Sequence, residues 1–104
     1  MTNYQFSLGS SKSDLRISIN VTKFDATCTG EFKHQLDKIW KPTIKTVILD
    51  FATVQFIDSS GIGALIGIKK RLAADAPPVT LKNTHQRVEE VLKLLRLHRM
   101  FSLG

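Results

Sequence analysis

At 104 residues the chain is long enough for one hydrophobic core and too short for two, so residues 1–104 are expected to form a single domain. A hydrophobic share of 42% and a charged share of 23% are those of a globular chain, and no apolar run is long enough to span a bilayer. The net charge of +6 admits an acidic partner, yet the lysines and arginines are scattered without interleaved aromatics, which speaks against a nucleic-acid surface.

Tyr4, Phe6 and Leu8 alternate with Gln5 and Ser7, which predicts a short strand. A polar loop, Gly9 to Asp14, leads to Leu15, Ile17, Ile19 and Val21, the cleanest period-two pattern in the chain. These two strands are expected to form a hairpin. The first helix carries Phe32, Leu36, Ile39 and Trp40 as its apolar stripe. Pro42 ends it, because the residue before a proline is pushed out of the helical region. A third strand is expected over Thr46 to Phe51, and its unbroken apolar run hints that part of the sheet's other face is covered.

A second helix is expected from about Ser60 to Ala74. Pro77-Pro78 breaks the chain before a fourth strand at Val79 to Lys82. Asn83 with Gln86 reads as a capping box for a third helix, whose stripe is Val88, Val91, Leu92 and Leu95. Glu89 and Lys93 sit one turn apart on it and pair favourably. The order β-β-α-β-α-β-α predicts an α/β fold with a four-stranded mixed sheet and packed helices. If the parallel strands add in one direction, right-handed crossovers place all the helices on one face. Val47, Ile48 and Leu49 then fall in a central strand, with Phe32, Leu65, Ile66 and Leu92 in the core.

The most informative stretch is Phe56-Ile57-Asp58-Ser59-Ser60-Gly61-Ile62-Gly63. An apolar strand precedes it and an apolar helix follows it, ending in Lys69-Lys70-Arg71. Asp and Ser side chains accept hydrogen bonds from the free N–H groups of a first helical turn. The basic cluster suits the negative end of the helix dipole, and the N-terminus favours negative charge such as phosphate. Ser59 and Ser60 both fall at this N-terminus, where a serine reads first as a plain cap, a role compatible with carrying phosphate on the same short turn. Gly63 and Gly67 lie four apart and predict close packing on the sheet or against a partner.

Other chemistries fail on spacing. Gly9-Ser10-Ser11-Lys12-Ser13 has no glycine directly before its lysine and leads into a strand, so it is not a phosphate loop. Ser59 and Ser60 lie outside any G-x-S-x-G elbow. His34, His85 and His98 form neither a triad nor a metal-ligand pattern. No catalytic residue, metal ligand or tightly bound cofactor is expected. Cys28 is the only cysteine, which excludes an internal disulfide, and it reads as a small core residue. Met1 to Gln5 show no secretory leader, and a cytoplasmic location is expected.

Leu49-Asp50-Phe51, Val54 and Phe56 through Leu65 resemble the signature of STAS domains, and more narrowly that of bacterial anti-sigma-factor antagonists. The order of elements supports the resemblance over nearly the whole chain. It implies that Ser59, the serine after the aspartate, is the phosphorylated residue. Phe24-Asp25 resembles a second family feature, a loop near the phosphoserine turn, with Thr22 where glycine is usual. The implied partner surface is Asp25, Gln55, Asp58, Ser59, Ser60 and Gly61, together with the exposed side of the second helix. The implied partners are an anti-sigma factor that is also an ATP-dependent serine kinase, and a phosphatase that resets the switch. Within the same family the alternative is a non-switching STAS subunit of a lipid-transport ATPase or of a sensory scaffold complex.

Overall fold

The computed structural model describes residues 3–103. Its frame is a five-stranded mixed sheet built from β1 (Tyr4–Leu8), β2 (Asp14–Ile19), β4 (Thr46–Asp50), β6 (Val79–Lys82) and β7 (Phe101–Leu103), in the order β1-β2-β4-β6-β7. Two further strands, β3 (Lys23–Phe24) and β5 (Phe56–Ile57), form a separate parallel ribbon. The helices are α1 (Thr29–Ile39), α2 (Ser59–Arg71) and α3 (Gln86–Leu94), with a short 3-10 turn at Leu97–Arg99.

The hairpin forms as the alternation predicts, with Tyr4 opposite Ile19 and Leu8 opposite Leu15. The Gly9 amide bonds to the Asp14 carbonyl at 2.9 Å, and Lys12 closes the turn at a φ of 60°. β4 is central, parallel to β2 on one side and to β6 on the other. In-register neighbours Leu15 and Val47, Ile17 and Leu49, and Leu49 and Leu81 face the same way, and all are buried. Phe32 and Leu36 of α1, Leu65 and Ile68 of α2, and Val88 and Leu92 of α3 join them in one cluster, with Ile66 half-buried against it. The helices therefore lie on one face, and the molecule is a slab of 34 × 33 × 20 Å, two layers thick. Tyr4 packs edge-on to Phe32, and Phe24 packs edge-on to both Phe32 and Phe51. Burial pushes the Tyr4 hydroxyl well above its ordinary pKa, and that hydroxyl donates to the Cys28 carbonyl at 3.1 Å.

Several expectations are corrected. The sheet has five strands rather than four: Phe101-Ser102-Leu103 pairs with β6, a run too short for periodicity to register. The ribbon likewise has only two residues in each strand. Among the described residues no helix or strand covers the sheet's other face. Ile48 lies there half-buried, with Arg16 and Thr80 as its in-register neighbours, so side-chain stems rather than a second layer shield it. α2 stops at Arg71, with Leu72 extended, short of Ala74.

The capping box does not form. Asn83 adopts a φ of 58° and donates to Asp50 at 3.1 Å, while His85 is the residue that starts α3. α3 ends before Leu95, which is exposed, whereas the Glu89–Lys93 pair forms at 3.4 Å. Cys28 is half-buried at the start of α1, its thiol 3.5 Å from the Lys23 and Asp25 carbonyls.

Candidate functional site

The serine turn is built from the ribbon outward. The Thr22 carbonyl accepts from the Gln55 amide at 2.8 Å and the Phe56 amide at 3.1 Å. Lys23 then pairs with Phe56, and Phe24 with Ile57. Thr22 does this without a positive φ, so the glycine usual at that position is not required for the loop to close. Phe24 and Ile57 are buried, while Phe56 points outward and is 49% exposed. Two residues after this ribbon α2 begins.

Asp58, and not a serine, caps the helix. Its backbone is extended, and its carboxylate accepts from the Gly61 amide at 3.0 Å. Its carbonyl accepts from Ile62 at 3.0 Å. Ser59 and Ser60 are the first two helical residues and separate by side: Ser59 is exposed, whereas Ser60 is half-buried and lines the groove between α1 and α2. Gly61 faces inward. A Cβ built there would lie 2.2 Å from the Phe24 carbonyl oxygen and 2.6 Å from an Ile57 side-chain carbon. The absence of a side chain at Gly61 thus lets the Phe24-Asp25 loop close against the first turn of α2. Asp25 ties down its own loop, accepting from the Thr27 hydroxyl at 2.5 Å and the Thr27 amide at 3.0 Å. Those Thr27 hydrogen bonds hold its carboxyl below the usual aspartate range.

The residues the sequence singled out therefore fall on two adjoining segments, Asp25 on one and Gln55 through Gly61 on the other, with Gly61 as the hinge-point between them. Of the two roles expected of Gly63 and Gly67, close packing on the sheet is the one the structure removes. A Cβ at either meets nothing within 4 Å, so neither serves packing on the sheet. They open instead on a groove of about 330 Å³ between α1 and α2, lined also by Gly30, Lys33 and Ala64. At its far end Arg71 is ion-paired with Asp37 and lies over the Trp40 ring, 5.5 Å from its centre. That pairing lowers the Asp37 pKa.

Phe56 falls inside the turn from Gln55 to Ser60 on which the expected contact surface centres, and its ring is exposed. Its neighbour dictates this: in a two-residue strand, burying Ile57 forces Phe56 outward. With Lys23, Gln55, Arg87 and Val91 it borders a second depression of about 280 Å³. Among the described residues no group of three or more His, Cys, Asp or Glu side chains converges as a metal site would require.

The family profile for the STAS domain matches residues 15–104. The chain belongs to the STAS domain family. The fold is shared with solved structures of low sequence identity. The anti-sigma factor antagonist SpoIIAA in its unphosphorylated form is 20% identical, with a TM-score of 0.77 over 97% of this chain and 87% of that one. The Bacillus cell fate determinant SpoIIAA in its phosphorylated form is 20% identical, with a TM-score of 0.71 over 97% and 90%. An anti-sigma factor antagonist from Mycobacterium paratuberculosis is 13% identical, with a TM-score of 0.75 over 96% and 84%. Among the described residues no helix is long and apolar enough to cross a membrane.

Proposed function

We propose that this protein is an anti-sigma-factor antagonist of a bacterial cytoplasm, switched by phosphorylation of Ser59. In its unphosphorylated form it binds an anti-sigma factor that is also an ATP-dependent serine kinase, and so releases a sigma factor. The kinase modifies Ser59, affinity falls, and a phosphatase restores the first state. The chain is the substrate in this cycle and not the enzyme. Nucleotide and metal belong to the kinase.

One observation carries the reading. Ser59 is exposed on the first turn of α2, while the structural duties of that turn fall to Asp58 and Gly61. A hydroxyl with no duty in the fold can be modified without unfolding it. Phosphorylation adds roughly −1.5 to −2 charges, which the helix N-terminus favours in the free protein. At a packed interface that charge must be desolvated beside Asp58. A loss of about 2.8 kcal/mol weakens binding a hundredfold, and repulsion at one contact can supply it. The contact surface on this reading comprises Asp25, Gln55, Asp58, Ser59, Ser60 and Gly61.

Titration of the parent and of Ser59→Asp with a cognate anti-sigma kinase, followed by calorimetry, tests the reading. The parent should bind and the folded aspartate variant should bind more weakly. Equal affinities would count against a switch and favour a constitutively bound STAS subunit.

A further inference from the structure

We infer that β1 is a docking edge for a second copy of this chain, joining two sheets antiparallel about a two-fold axis at Ser7. β1 closes one side of the five-stranded sheet, and among the described residues no strand pairs with its outer side. The hydrogen-bond pattern fixes which groups are free. The Asn20 amide bonds to the Asn3 carbonyl and the Gly9 amide to the Asp14 carbonyl, so it is the odd-numbered residues on the β1 side that exchange bonds with β2. The N–H and C=O groups of Tyr4, Phe6 and Leu8 therefore point away from β2. Tyr4 is 2% exposed and its surroundings cover it, whereas Phe6 and Leu8 are only half-buried.

Edge strands in monomeric proteins are blunted by charge, proline or a bulge. This one has none of them. From Asn3 to Ser11 the sequence holds no Asp, Glu, Lys, Arg or Pro, in a chain that is 23% charged. Its ladder with β2 runs through five consecutive pairs without a bulge.

The edge is also self-complementary. Phe6 and Leu8 are equidistant from Ser7, so a two-fold axis there sets Phe6 opposite Leu8 of the second copy, and Leu8 opposite its Phe6. Each pairing exchanges two backbone hydrogen bonds, and each sets an aromatic ring against an aliphatic side chain. A second copy carries the same net charge of +6. Like-charged molecules meet least repulsion through a neutral seam, and this strand supplies one. The inference is independent of the partner-switch reading, since neither Ser59 nor the ribbon takes part.

Sedimentation equilibrium of the whole protein tests it. The mass should rise from 11.7 kDa toward twice that value as concentration increases, and more so at higher salt, because screening relieves the repulsion between copies. Ser7→Lys places two cations across the axis beside Arg16, its partner on β2, and should weaken association about tenfold with unchanged circular dichroism. Ser7→Cys should cross-link under mild oxidation, because residues opposite one another at such a position lie close enough for a disulfide. Peptide mapping should find the bond between the two introduced thiols and not at Cys28. A parent that stays monomeric at millimolar concentration, a lysine variant that associates as the parent does, or oxidation that joins only Cys28 would each overturn the inference.

Discussion

Gly61 and Gly63 stand two residues apart on one helix and answer to different demands. A Cβ on Gly61 would strike the Phe24 carbonyl, while one on Gly63 would meet nothing. The same split runs through the whole start of α2. Its inner side, Asp58, Gly61 and Leu65, is committed to capping, loop closure and core. Its outer side, Ser59 and Gly63, is exposed and committed to nothing among the described residues. Where a fold leaves residues this free, beside a capped helix N-terminus, the chemistry there is available to a partner.

Three substitutions and one titration break or sharpen the contrast. Gly61→Ala should have the largest effect, because backbone and a buried side chain must both move. A loss of roughly 1–3 kcal/mol in urea unfolding is expected, with Thr22 to Thr27 losing amide protection. An unchanged midpoint would mean that the loop does not depend on that close approach. Asp58→Ala removes the cap and should lose about 0.5–2 kcal/mol by the same measurement. Gly63→Ala should act in the opposite direction, raising stability by about 0.4–1 kcal/mol, since the unfolded chain loses freedom and the folded chain gains no clash. A destabilised Gly63→Ala would show that the outer side is packed after all.

The smallest effect lies at Asp25. Its carboxyl is held below the usual aspartate range by Thr27 in the folded state, so the unfolded chain takes up a proton first as pH falls. The hydrogen bonds therefore help the fold above about pH 3.9, the ordinary aspartate value, and their contribution fades as pH drops toward the lowered folded pKa. The Thr27 amide resonance should hold steady from neutral pH to that value and move only below it.

Much of this was legible in the sequence because the relevant signals are local. Period-two alternation in Leu15 to Ile19 and helical spacing from Phe32 to Leu36 each depend on one face being buried, and both elements formed where the pattern put them. The serine turn could be read for the same reason, since a helix cap is set by four consecutive residues. What escaped was decided at a distance. Asn83 abandons capping because Asp50, on the neighbouring strand, offers a partner. The ribbon depends on Thr22 meeting Gln55 and Phe56, which no window spans. Gly61 and Gly63 look alike in sequence, and only the Phe24 carbonyl distinguishes them. The cap falls to Asp58 rather than to the serines beside it, a choice that the run Asp58-Ser59-Ser60 leaves open.

The most direct test of the switch is the site of phosphate transfer. The parent, Ser59→Ala and Ser60→Ala would be incubated with a cognate anti-sigma kinase and ATP, and the peptide spanning Phe51 to Lys69 read by tandem mass spectrometry. The account predicts one phosphate on the parent and on Ser60→Ala, located at Ser59, and none on Ser59→Ala, which should still bind the kinase. A phosphate located at Ser60, or none at all on a parent that binds the kinase tightly, would contradict it.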